Sequence, residues 1–148
     1  MTETNTAATD LTTEALVEHL NDDLRSEFQS IVQYIQHIAL ITGPEYTSTV
    51  DELKIHIGQE LVHATTLAEQ VAFLGGTPAT ASREIKPFED SRGALQADLD
   101  LEVEQLDRYR TRVQEATELG LVDVAEALRP LLTQTQEHVR DLQSALGK

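Results

Sequence analysis

Four stripes of apolar residues, each interrupted near its middle by polar side chains, constrain this chain more than any other feature. The clearest runs Leu53, Ile57, Glu60, Ala64, Leu67, Val71 and Leu74, in alternating four- and three-residue steps. A mean step of about 3.5 residues keeps one side of a helix turned toward a partner helix. Glu60 takes a stripe position, so a carboxylate is aimed at the core, where an unpaired charge is strongly disfavoured. His63 follows three residues later on the same helical face, and the two side chains can converge on one metal ion.

Three more segments repeat the pattern. The first reads Leu20, Leu24, Glu27, Ile31, Tyr34, Ile38, Ile41; the third Leu95, Leu99, Glu102, Leu106, Tyr109, Val113, Ala116. The fourth reads Val124, Leu128, Leu131, Thr135, His138, Leu142, Ala145. Glu27 lies 16 residues before Gly43 and Glu60 lies 16 after Pro44, so an antiparallel hairpin turning there sets both carboxylates at one height. Glu102 lies 18 residues before Gly120 and His138 lies 18 after it, which aligns the second hairpin in the same way.

Punctuation divides the stripes into four helices. Residues 1–12 are polar and Thr-rich and read as a tail, ending in an N-cap at Thr12 or Thr13. The bundle domain then occupies 13–147. Gly43-Pro44 ends the first helix near Ile41, and Gly75-Gly76 ends the second, which starts near Tyr46. The third spans about Ser91 to Leu119, and the fourth follows Gly120, with Asp123-x-x-Glu126 as a capping box and a kink expected at Pro130. The aperiodic stretch between Gly76 and Ser91 is long for a compact domain, long enough to cross the bundle and start a parallel helix.

Composition agrees with an all-α chain. Of 148 residues, 40% are hydrophobic but only 4% aromatic, which suits aliphatic helix packing. The absence of cysteine excludes disulfides and thiolate chemistry and is compatible with a cytoplasmic setting. No basic-then-apolar leader and no membrane-length apolar run are present. A formal net charge of −15 repels phosphate backbones, so nucleic acid is not an expected partner, whereas cations are.

Carboxylates with imidazoles and no thiolate suit iron, manganese or zinc. LNDDLRSEFQSIVQYIQH, IGQELVHATTLAEQVAFLGGTP and DLDLEVEQL resemble the first three helices of bacterioferritins and other ferritin-like di-iron carboxylate proteins. The resemblance covers about residues 16–146 and implies a ferritin-like four-helix bundle with a long crossover between helices two and three. It further implies an iron-binding protein that oxidises and handles Fe(II), a ferroxidase with one or two ions per chain. Glu27 and His63 would hold one ion, Glu60 would bridge, Glu102 and His138 would serve the other, and Tyr34 would stand beside them as a hydrogen-bond or redox partner. A homodimer or larger homo-oligomer is implied as well, through the outer face of the first two helices.

Three positions depart from that family. The fourth-helix Glu-x-x-His reads Thr135-Gln136-Glu137-His138, which replaces the second bridging carboxylate with a hydroxyl. The haem-binding methionine expected directly after Glu60 is Leu61, so no haem is expected. The chain stops soon after the fourth helix and lacks the short fifth helix of the large ferritin cages, which makes a 24-subunit cage less expected and leaves a smaller shell open. Thr135 also keeps open a non-catalytic bundle with a mononuclear or vestigial site, and the overlapping ligand sets keep open a peroxidase- or catalase-type di-metal enzyme. Among the remaining candidates, His56 reads as a part-exposed surface residue before an auxiliary ligand. His37 reads as a helix-end or interface residue, Tyr109 reads as core packing, and His19 has no assigned role.

Overall fold

A computed structural model describes residues 10–148, and among these all regular structure is helical. Helix α1 spans Thr13–Leu40, α2 Thr47–Phe73, α3 Ser91–Glu118 and α4 Val122–Ala145, with one short 3-10 turn at Pro44–Tyr46. Of the expected tail, residues 1–9 lie outside the described part, and Thr12 caps α1 by accepting from the Ala15 amide at 3.0 Å.

The helices start and stop for local reasons. Asp90 caps α3 by accepting from the Gly93 amide at 2.7 Å, which satisfies one of the unpaired first-turn donors. Gly75 closes α2 with φ 89°, a conformation that side chains disfavour. Next to it, a Cβ on Gly76 would lie 2.5 Å from Val17 of α1, so only glycine allows that close approach. One expectation for α4 fails. Its cap is Leu121 without any side-chain hydrogen bond, and Asp123 lies inside the first turn, so there is no capping box. Pro130 lies inside the helix on its exposed side, where the carbonyl it leaves unpaired can reach water.

Cross-helix pairs define the topology. On α1 and α3, Asp23 meets Arg112, Glu27 meets Tyr109, Tyr34 meets Glu102 and His37 meets Asp98, so these helices run antiparallel. On α2 and α4, His56 meets Asp141, Glu60 meets His138 and His63 meets Gln134, again antiparallel. Since α1 also opposes α2, helices α2 and α3 are parallel, as the long connection requires. That connection returns along α1: Asn21 binds the backbone of Thr77 and Ala79, Arg83 bonds the carbonyl of Arg25, and Phe88 packs T-shaped with the His37 ring, centroids 4.7 Å apart.

Two apolar clusters fill the interior, one at each end. One gathers Leu16, Leu20, Leu67, Val71, Val113 and Leu128; the other gathers Leu53, Leu95, Leu99, Leu106, Val139 and Leu142. Leu67 is wholly buried, and truncating such a residue to Ala costs about 2–5 kcal/mol. Between the clusters lies a layer of buried Glu and His, held level by apolar packing above and below.

Candidate metal centre

The polar layer is assembled from one or two side chains of each helix. Glu27 comes from α1, Glu60 and His63 from α2, Glu102 from α3 and His138 from α4, and each is at most 1% exposed. Glu60 stands in the middle. Its Oε2 is 3.3 Å from Nδ1 of His63, and its Oε1 is 2.8 Å from Nδ1 of His138. Glu27 flanks His63 at 3.5 Å, and Glu102 flanks His138 at 3.3 Å. Two three-residue groups with convergent donor atoms result, Glu27–Glu60–His63 and Glu60–Glu102–His138, and they share Glu60.

The chemistry of this donor set fits cations. Nε2 of His63 lies 2.7 Å from the Gln134 side-chain oxygen, and Nε2 of His138 lies 2.6 Å from that of Gln59. An amide oxygen only accepts, so each Nε2 carries the hydrogen, and in the neutral ring each Nδ1 turns a lone pair toward carboxylates. Lone pairs facing carboxylate oxygens repel unless a proton or a cation lies between them. Oε2 of Glu27, Glu60 and Glu102 and Nδ1 of His63 are buried without any hydrogen-bond partner, which is the expected state of atoms shaped to coordinate. The glutamines act as the outer partners that fix imidazole orientation in metal sites.

Charge crowding leaves its mark on the titrations. Burial, followed by the charges of Glu102 and Glu27, pushes the Glu60 carboxyl well above its ordinary range. Burial alone would raise Glu102 too, but His138 overrides it and holds this carboxyl at about 2. His63 is raised, because Glu27 outweighs a burial effect that by itself would lower it.

Tyr34 donates to Oε1 of Glu102. Tyr109 does more than pack, since it donates to Oε1 of Glu27. Thr135 is fully buried at the same level, yet its hydroxyl hydrogen goes back to the Leu131 carbonyl at 2.7 Å. Glu137 is exposed and points elsewhere. His56 is 1% exposed, not a surface residue, and stacks on His138 with ring centroids 3.9 Å apart. His37 does lie in the last turn of α1, but it is wholly buried against Asp98 at 2.8 Å. His19 pairs with Glu115 at 2.7 Å near the surface.

The likenesses of this chain point the same way. The model of the ferritin family, described as a ferritin-like domain, matches residues 17–148. The bacterial ferritin of Neisseria meningitidis is 31% identical over 97 residues, 66% of this chain but 63% of that protein, so the chain spans under two thirds of that relative's length. A ferritin-like di-iron-carboxylate protein of Bacillus anthracis has a TM-score of 0.87 at 30% identity, over 90% of this chain and 96% of its own. The bacterioferritin of Rhodobacter capsulatus, solved with a metal-free dinuclear site and haem iron, has a TM-score of 0.82 at 26% identity, over 90% of this chain and 84% of its own. With a sequence match across residues 17–148 and a backbone shared over nine tenths of its length, the chain belongs to the ferritin-like family.

Proposed function

We propose that this chain binds Fe(II) at the buried layer, one or two ions per chain, and oxidises it with oxygen or peroxide as a ferroxidase. The observation that carries the reading is Glu60, whose two oxygens face two different histidines inside a set of unpartnered donors. Glu27 and His63 hold one ion, Glu102 and His138 hold the other, and Glu60 lies between. Two Fe(II) ions supply one electron each, which with two protons convert oxygen to hydrogen peroxide, or hydrogen peroxide to two waters. The protein orients the donors, excludes bulk water with its apolar clusters, and keeps Tyr34 and Tyr109 as proton-holding neighbours of the outer carboxylates. Manganese and zinc suit the same donors.

The deciding experiment is anaerobic Fe(II) titration followed by oxygen, with iron counted per chain and oxygen counted per iron. Uptake of up to two ions with fast, protein-dependent oxygen consumption is expected. Iron oxidation no faster than in buffer alone overturns the reading. In that case Thr135, with its hydroxyl hydrogen committed to Leu131, favours a bundle with a mononuclear or vestigial site.

Assembly and setting belong to the same proposal. Helices α1 and α2 expose Val32, Ile35, Ile55, Leu61 and Val62, which suits a homodimer or larger homo-oligomer through that side. A monomer independent of concentration in sedimentation would refute it. Among the described residues no helix is long and apolar enough to cross a membrane, and a cytoplasmic location rests on family likeness.

A further inference from the structure

A second cluster lies outside the buried layer, on the seam of α2 and α4. Nε2 of His56 is 3.1 Å from Asp141 and 3.9 Å from Glu52, and one donor atom from each of the three lies within 4.8 Å of the others. The cluster lines a cavity of about 400 Å³ that opens to solvent and also presents Glu45, Ser48 and Thr49. The two carboxylates are roughly half exposed, but the imidazole is not: His56 is buried against His138, and its Nδ1 has no hydrogen-bond partner. Packing on His138 buries the imidazole, and Nε2 is left facing two part-exposed carboxylates at the cavity while Nδ1 has no partner.

We propose that Glu52, His56 and Asp141 form a separate divalent-cation site at the mouth of this cavity, backed directly by the histidine of the inner layer. One imidazole nitrogen and two carboxylates suit Fe(II), Mn(II) or Zn(II), and the cavity leaves positions for water. A cation between them would also offset the repulsion of the Glu52 and Asp141 carboxylates, which face His56 from the two helices. The chain's charge of −15 raises the local cation concentration at such a mouth. His56 then holds the outer ion on one side while its ring face covers the imidazole of His138, so that the outer ion lies one histidine thickness from the inner layer. The outer site stands independently of what the inner layer does.

The test uses the full chain, crystallised and soaked with Zn(II), with anomalous difference maps recorded at the zinc edge. A peak is expected bonded to Nε2 of His56 and to an oxygen of Glu52 or Asp141, at about 2.0–2.2 Å. Glu52→Gln with Asp141→Asn, both at part-exposed positions, should remove that peak without unfolding the bundle. Equilibrium dialysis should then show one Zn(II) fewer per chain. The proposal is overturned if the parent shows no peak there, or if the peak survives the double substitution. Peaks at Glu27, Glu60 and Glu102 report on the inner layer separately, so the two failures are distinguishable.

Discussion

Tyr109 on α3 donates a hydrogen bond to Glu27 on α1, and Tyr34 on α1 donates one to Glu102 on α3. Each tyrosine follows its own helix's glutamate by seven residues, two turns, and the antiparallel packing of α1 on α3 crosses the pairs over. Burial first, then the adjacent carboxylate, raises both phenols well above their ordinary value, so both are protonated donors at neutral pH.

This crossing makes the two tyrosines separable. Tyr109→Phe keeps the ring but leaves Glu27 without its donor, and should weaken the ion held by Glu27 and His63. Tyr34→Phe should weaken the ion held by Glu102 and His138. Losses of outer-sphere partners cost about 10–100-fold in metal affinity, and that range is expected for each. Occupancy refined from metal-soaked crystals of the two variants checks it. Equal loss at both ions in either variant would contradict the assignment.

The metal-free bundle should be most stable in mild acid. Glu60, raised by burial and by Glu102 and Glu27, binds a proton in the native state that it gives up in the unfolded chain once pH exceeds its ordinary 4.5. Its contribution is therefore present at low pH and falls as pH climbs from there through the raised native value. Glu102 acts oppositely: its stabilisation is present above the ordinary carboxylate range and is lost as pH falls toward about 2. Thermal melts of chelated protein should peak between these windows and decline toward neutrality, and divalent metal should abolish that decline. Glu60→Gln should abolish it without metal, while destroying the affinity for both ions. Chelated parent protein whose stability rises steadily from pH 5 to 8 would refute the sign.

The stripes made the height of the layer legible, because hairpin turns at Gly43-Pro44 and Gly120 convert sequence offset into position along the bundle. The width of the site was not legible. Asp23, Ser26, Gln29, Ser30, Gln33 and His37 are all buried on α1, although periodicity assigns polar residues to solvent. Their partners Asp98, Gln105 and Arg112 arrive on α3, and no local pattern announces that two polar faces will meet. Gln59 and Gln134 were missed for the same reason: each flanks a stripe, and only the facing histidine gives it a role. His56 has exposed neighbours at Glu52 and Lys54, and its burial is supplied by His138 across the seam.

Leu61 is 59% exposed on α2, directly after Glu60, and offers no donor atom to haem iron. Reconstitution with haem should give no stoichiometric Soret band. A band that appears in the parent and vanishes when Leu61 is changed would overturn this.

Thr135 is where charge and structure meet. Two Fe(II) ions bring four positive charges, while Glu27, Glu60 and Glu102 bring three negative ones, so a filled layer holds one uncompensated charge in a low-dielectric core. The ion on Glu102 and His138 lacks the fourth carboxylate and should be the weaker of the two. Thr135→Glu supplies it, but the metal-free layer already crowds charge enough to raise Glu60. The substitution should therefore act in opposite directions in the two states. Chelated protein should lose about 1–3 kcal/mol of stability, the cost of one more poorly paired buried polar group. The second ion should bind at least tenfold tighter, and iron oxidation should accelerate. Thr135→Gln adds the same bulk without the charge and should produce neither the tighter ion nor the faster oxidation. If Thr135→Gln matches Thr135→Glu in affinity, shape and not charge limits the second ion. If the parent already holds two ions equally tightly, the charge imbalance has no consequence here.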